Sequence, residues 1–208
     1  MNKLFLSIAI LSAVVTMSSC KKELADKSDD VEAVKDISVV EEESTEDLLN
    51  VLTNEEDLLV GEYNQTVAKE NIEVFNRINS FSAWSQVSTI DFTTEKGTGI
   101  TKLYYNKELQ VDKIVVRKYD TEQQSLDVYY LSDGKLVLVI NQGLVYNANP
   151  NSKEFNKEES EYTKDCNYFH DGKLFAIMSN LDCGAPFAED YVRTVEKDIL
   201  EEVKKLIP

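Results

Sequence analysis

Residues 127–140 read Asp127-Val-Tyr-Tyr-Leu-Ser-Asp-Gly-Lys-Leu-Val-Leu-Val-Ile140, and residues 165–178 read Asp165-Cys-Asn-Tyr-Phe-His-Asp-Gly-Lys-Leu-Phe-Ala-Ile-Met178. In each copy, two runs of aromatic and branched side chains flank an Asp-Gly pair. A two-residue hairpin turn of type I′ needs positive φ at both central positions, which Asp and Gly tolerate better than most residues. The repeat therefore predicts two β-hairpins that belong to an antiparallel sheet.

The pairing across a two-residue turn predicts which side chains share a face of the sheet. In the first hairpin, Leu131 is predicted to lie opposite Leu136. Tyr130 is then opposite Val137, and alternate side chains point to opposite faces. One face is thereby predicted to be apolar throughout, with Val128, Tyr130, Val137 and Val139 from the first copy and Cys166, Tyr168, Phe175 and Ile177 from the second. We expect helices to pack on this face.

The second predicted face is apolar near the two turns, where it carries Leu131, Leu136, Phe169 and Leu174. Two interpretations of these four residues remain open. Either a helix or the acidic N-terminal segment covers them, or they form an exposed apolar patch that binds a partner. In the second case they are the candidate partner-binding residues.

Hydrophobic periodicity places helices before and after the strands. Three-to-four spacing predicts a short helix near residues 46–53, a longer one over 62–81 and another from Ala188 to Leu206. Alternation begins at Val87, and the unbroken apolar run over residues 114–116 indicates a bulge or burial on both faces. The predicted fold class is α+β: an antiparallel meander of about six or seven strands, with an N-terminal and a C-terminal helix packed on one face.

The N-terminus has the features of an export signal. Lys3 precedes an apolar run from Leu4 to Met17, which is long enough for a signal peptide and too short to span a bilayer. The run ends in Met17-Ser18-Ser19-Cys20, which resembles the lipobox of bacterial lipoproteins. The following Lys21-Lys22-Glu23 resembles the surface-export tags of Bacteroidetes-type lipoproteins.

That resemblance implies removal of a signal peptide over residues 1–19 and attachment of lipid to Cys20, with a diacylglycerol on sulfur and a fatty acyl chain such as palmitate on the new amine. Two or three acyl chains would anchor the protein stably in the lipid bilayer. The implied location is the outer membrane, on its periplasmic side or at the cell surface. The remainder of the chain resembles no characterised family closely.

Charge divides the chain into segments. The chain carries 38 acidic residues against 22 lysines and arginines, for a formal net charge of −16. Between Lys21 and Val60 there are fourteen acidic residues and four lysines, which predicts a solvated tether over residues 20–45. Residues 46–208 are predicted to form a single domain. The excess of acid disfavours binding to nucleic acid or to anionic lipid surfaces.

The cysteines allow three arrangements. If Cys20 carries lipid, Cys166 and Cys183 remain as an even pair in an oxidising compartment, which predicts a disulfide. Two free thiols are an alternative. A metal site formed by Cys166, His170 and Cys183 is another, although this spacing matches no common zinc motif. We expect neither a metal nor a cofactor.

The sequence contains no recognisable catalytic motif. His170 is the single histidine and lies next to a turn, and there is no nucleophile elbow, phosphate loop or dinucleotide fingerprint. We therefore expect no catalytic residues and a lipid-anchored, non-catalytic binding or accessory lipoprotein of the bacterial cell envelope, which recognises an envelope protein or glycan. The alternative is an exported hydrolase or inhibitor-like domain. The polar stretch 143–160 is either a recognition loop or a tolerated surface insertion.

Overall fold

The computed structural model describes residues 52, 58–60, 68–181 and 187–207. All of these lie in one compact unit that spans residues 42–208. The signal segment, the tether, Cys20 and Cys183 lie outside the described residues, as does the short helix predicted near 46–53 apart from Leu52. The predictions made for them stay predictions.

Within the described residues, the strands form one open antiparallel sheet of seven strands in sequence order. The strands are β1 Gln86–Thr93, β2 Gly97–Tyr105, β3 Val111–Asp120, β4 Gln123–Ser132, β5 Lys135–Val145, β6 Glu161–His170 and β7 Lys173–Ser179. Helix α1 (Lys69–Asn79) precedes the sheet and helix α2 (Glu189–Leu206) follows it. The α+β meander is thereby confirmed. In the described part of the chain, no helix is long and apolar enough to cross a bilayer.

The two Asp-Gly pairs form the predicted hairpin turns. All four residues have positive φ, with values of 51° at Asp133, 72° at Gly134, 48° at Asp171 and 75° at Gly172. The turns join β4 to β5 and β6 to β7, so the repeated sequence builds four neighbouring strands of the sheet.

A β-bulge follows each turn and changes the side-chain pattern. Leu131 lies opposite Leu136 as predicted, but Tyr130 pairs with Leu138, so Val137 is an extra residue. In the second hairpin Phe175 is the corresponding extra residue, because Phe169 pairs with Leu174 and Tyr168 with Ala176. An inserted residue reverses the alternation beyond it. The predicted assignment of Val139 and Ile177 to the same face as Tyr130 and Tyr168 is therefore wrong.

The central strands of the sheet are buried on both faces, and the helices lie on opposite sides of it. We call the side packed against α1 the α1 face; its core contains Val128, Tyr130, Leu138, Ile140, Cys166 and Tyr168 together with Phe75 and Ile78 of the helix. The other side is the α2 face; its core contains Leu103, Ile114, Tyr129, Leu131, Val139, Phe169 and Ile177 together with Ile199 and Val203 of the helix. The prediction that both helices pack on one face is wrong.

Burial on both faces explains the unbroken apolar run in β3. Ile114 and Val116 belong to the core of the α2 face, whereas Val115 belongs to that of the α1 face. Strands that are covered on both sides do not need alternating polarity. One of the two explanations for this run, burial on both faces, is thus confirmed.

Candidate functional site

The four residues of the candidate partner-binding patch are buried. Leu131, Leu136, Phe169 and Leu174 belong to the core beneath α2, and the most exposed of them, Leu136, has an exposed fraction of 6%. They do lie together, as predicted, but they pack against Ile199 and Val203 of the helix. The binding-patch interpretation is therefore wrong, and the interpretation that a helix covers these residues is confirmed.

Cys166 is a buried free thiol on the α1 face. Its Sγ accepts a hydrogen bond from the backbone N–H of Leu59 at 3.5 Å, and burial raises the pKa of the thiol. Cys166 forms no disulfide within the described part of the structure, and its predicted partner Cys183 lies outside that part. The pairing of these two cysteines stays a prediction.

His170 lies at the second hairpin turn with an exposed imidazole. Its nitrogens are 3.8 Å from a carboxylate oxygen of Glu70 and 3.6 Å from one of Asp171. Surface pairs of this kind contribute little to stability. Among the residues that the structure describes, no group of three or more His, Cys, Asp or Glu side chains is placed to hold a metal ion.

A cleft of about 550 Å³ lies at the end of the sheet opposite the Asp-Gly turns. Its walls come from the β1–β2 turn at residues 94–96, the end of β3 with the start of β4, and the β5–β6 connection. A volume of this size is in the range of small-molecule sites, which is about 300–1,000 Å³. The cleft is therefore the candidate binding site.

The cleft lies over a row of residues that crosses four strands, and three of these residues have small side chains. Lys118 pairs with Ser125, Ser125 with Gly143 and Gly143 with Thr163, so these residues form one row across β3 to β6. Val116 lies two residues from Lys118 in β3, and Tyr129 lies four residues from Ser125 in β4. Both belong to the α2 face, and even separations keep side chains on one face, so the row lies on that face. At Gly143 a Cβ atom would come within 2.8 Å of the Thr163 hydroxyl, so this position has little room for a larger residue.

An ion-pair network lies beside the cleft and beneath α2. The Lys118 ammonium is 3.5 Å from a carboxylate oxygen of Asp127 and 3.2 Å from one of Glu202, which is on the helix. Burial raises the pKa of the Asp127 carboxyl, although Asn141 and Lys118 act against this shift. Burial also lowers the pKa of Lys118, but the two carboxylates outweigh this effect and leave the net pKa above its usual value.

Amide side chains extend this network across the sheet. The Asn167 amide donates to the side-chain oxygen of Asn141 at 2.8 Å, and the Asn141 amide donates to Asp127 at 2.8 Å. Asn167 Oδ1 is buried, and among the described residues it has no hydrogen-bond partner. Buried polar groups that remain unsatisfied are costly and uncommon in folded proteins. Together, these bonds join β6, β5, β4 and β3 to the helix, and Lys118 lies at the wall of the cleft.

The polar stretch 143–160 borders the cleft and is ordered by its own hydrogen bonds. The Asn147 side chain accepts from the backbone N–H of Asn156 and donates to the backbone carbonyl of Glu154. Tyr146 and Phe155 pack edge to face with ring centroids 5.6 Å apart. Gly143, at the start of this stretch, lines the cleft. Whether the loop is a recognition element stays a prediction.

Sequence reasoning did not find the cleft. Its residues are separated by up to seventy positions, from Thr94 to Thr163, and no local motif joins them. The available signal was weak: Ser125 and Gly143 are small residues close to strongly apolar strands. Comparisons with protein-family models, with curated protein sequences and with solved structures find no match to this chain.

Proposed function

We propose that this protein is a lipid-anchored, non-catalytic binding protein of the bacterial cell envelope, and that its ligand occupies the cleft between the β1–β2 turn and the β5–β6 connection. The observation that carries the proposal is the cleft itself. It remains open at one end of a sheet whose central strands are covered on both faces.

The N-terminal sequence supports the anchoring. The apolar run that ends in Met17-Ser-Ser-Cys20 resembles a lipoprotein signal, and the acidic segment over residues 20–45 separates the anchor from the domain. A segment of this composition remains solvated and acts as a spacer. The arrangement suits a domain that works at some distance from the outer membrane to which Cys20 is attached.

The ion-pair network of Lys118 at the wall of the cleft favours binding over catalysis. Lys118, the half-exposed cation at the wall, is paired with Asp127 of the sheet and with Glu202 of α2. A group in such a network serves structure and orientation more readily than proton transfer, which needs a group free to change its charge. The lining also contains the charged residues Glu95, Lys96 and Asp120 at its two turns, and its uncharged polar side chains are hydroxyls and amides, including Thr94, Gln123 and Thr163.

The lining indicates the class of ligand. Hydroxyl and amide groups on an otherwise largely apolar surface match the alternating polar and apolar surface of a sugar ring, and Tyr119 also borders the cleft. A few polar groups at fixed positions give such a site its specificity. We infer that the ligand is an envelope glycan of a few sugar units.

The proposal has an anchoring test and a binding test on the same protein. The chain is expressed with its own N-terminus in a Gram-negative bacterium, as wild type and as Cys20→Ser. Mass spectrometry is expected to find an acylated Cys20 at the new N-terminus of the wild type, in the outer-membrane fraction. A cleaved chain with an unmodified Cys20 thiol would contradict the anchoring.

The binding test uses an array of bacterial surface oligosaccharides as the probe. Thr163→Trp places a large side chain in the cleft, and Tyr162→Trp changes the neighbouring residue on the opposite face of β6. We expect wild type and Tyr162→Trp to bind the same glycans and Thr163→Trp to lose that binding, with equal melting temperatures. Absence of binding by the wild type, or equal binding by all three proteins, would overturn the cleft as the site.

A further inference from the structure

The two edges of the sheet differ in how they are protected. At β7, the backbone N–H of Leu174 donates to Glu196 at 2.6 Å, and its carbonyl accepts from Arg193 at 2.8 Å. Both side chains belong to α2. Because the N–H and C=O of one residue in an antiparallel strand point to the same side, these bonds occupy the edge that faces away from β6. Helix α2 therefore blocks this edge against another strand.

The edge at β1 has no comparable protection in the described part of the chain. Its eight residues pair with β2 in a continuous register without a bulge. The strand contains no Pro or Lys, which are among the residues that proteins use to blunt an edge. Val87 and Ile90 are 46% and 53% exposed. Long, flat edges with exposed apolar side chains pair readily with another strand.

We propose that β1 is an association strand, through which two copies of this chain join edge to edge and antiparallel. The sheets of the two copies then continue into each other. This surface lies at the opposite edge from the blocked β7, and the inference does not depend on the proposed glycan site.

One register makes the strand complementary to itself. A two-fold axis through Ile90, perpendicular to the sheet, keeps equivalent faces on the same side. It places Ile90 beside Ile90 of the second copy, Ser88 opposite Phe92, and Thr89 opposite Asp91. The two exposed isoleucines then cover each other, next to Phe92, which already packs on the core of the α2 face. Direct cross-strand pairs of this kind are the units that stabilise a sheet.

The charges of the strand are compatible with this pairing. Asp91 is the single charged residue of β1, so no like charges lie directly opposite each other. The two Asp91 carboxylates are diagonal neighbours, at about 7–8 Å, which leaves a weak repulsion across the axis. With one charged residue among eight, the strand is a part of the chain that two acidic copies can bring together with little repulsion. Removal of this repulsion should strengthen the dimer.

Native mass spectrometry of the full chain, released from a neutral detergent, tests the proposal. The wild type is expected to form a dimer. Ile90→Lys should dissociate at least about tenfold more readily, because each copy would present a lysine at the axis. Asp91→Asn should dissociate less readily than the wild type. Leu109→Lys, which makes the same kind of change at an exposed leucine of the β2–β3 connection, should leave the dimer unchanged.

Circular dichroism checks that each variant keeps its fold, and hydrogen exchange identifies what covers the strand. In the wild type, the β1 amides that do not bond to β2 should become protected as concentration rises, and those of Ile90→Lys should not. A monomeric wild type at every soluble concentration would overturn the proposal, whether those amides are exposed or covered by another segment of the same chain. A dimer that persists in Ile90→Lys would also overturn it.

Discussion

At the scale of single residues, the bulges after the two Asp-Gly turns decide which side chains meet which helix. A bulge leaves backbone groups outside the regular ladder, and they need other partners. Asn71 of α1, which is 2% exposed, provides one. Its amide donates to the carbonyls of Val137, the bulged residue, at 2.7 Å, and of Phe169 at 2.8 Å. A single side chain therefore connects α1 to both hairpins.

We expect Asn71→Ala to lower the free energy of unfolding by about 1–3 kcal/mol, because two carbonyls lose their donor in a buried environment. Urea unfolding measures this change. Asn76→Ala, at an exposed position of the same helix, is the matched control and should remain within about 0.5 kcal/mol of wild type. Equal stability of the two variants would show that the amide does not support the bulges.

The turns could be predicted at this scale and the bulges could not. Asp133-Gly134 and Asp171-Gly172 have a backbone requirement that few residue types meet, so the sequence carries a clear signal for them. Val137 and Phe175 are ordinary strand residues, and nothing in their type marks them as extra. Because each bulge reverses the alternation in the strand that follows the turn, the predicted faces were correct in β4 and β6 and wrong beyond the bulges in β5 and β7.

At the scale of elements, strand order and helix placement differ in how far the sequence determines them. Period-two patterns and short connections predict an antiparallel meander, since consecutive strands usually pair. The apolar stripes of α1 and α2 indicate that each helix buries one side, but not which face of the sheet it covers. The apolar run at residues 114–116 was the main signal that both faces are covered.

The link between α2 and β3 gives an element-scale prediction about pH. Lys118 bonds to Glu202 on the helix, and its pKa in the folded protein lies above the usual 10.5. A raised pKa means that the charged form stabilises the fold below pH 10.5, and that this contribution is lost as the pH rises through the folded-state pKa. The half-exposed position of Lys118 limits its size to about 1 kcal/mol.

We therefore expect Lys118→Met to be less stable than wild type by up to about 1 kcal/mol at pH 7, and the difference to shrink above the usual lysine pKa. Urea unfolding at pH 7 and at a pH above 10.5 measures the difference in the free energy of unfolding. Lys197→Met, an exposed lysine of α2 whose pair with Glu201 spans 3.9 Å, is the control and should show almost no difference at either pH. A Lys118→Met effect that grows with pH would contradict the assignment.

At the scale of the whole molecule, coverage of the central strands on both faces leaves the far end of the sheet as the proposed place for a ligand. The cleft arises from the alignment of Lys118, Ser125, Gly143 and Thr163 across four strands. That alignment depends on strand register, which the sequence specifies through the turns and bulges together. The predicted patch at Leu131 and Phe169 was wrong for a different reason, because the C-terminal helix covers these residues.

The most direct test of this account compares two identical substitutions in one hairpin, Leu131→Ala on the α2 face and Leu138→Ala on the α1 face. Both leucines are at most 1% exposed. Urea unfolding should show a loss of about 2–5 kcal/mol for each variant, because each removes buried side-chain volume from a separate core. A loss below about 0.5 kcal/mol for either variant would mean that its face is open, and would contradict the two-sided fold.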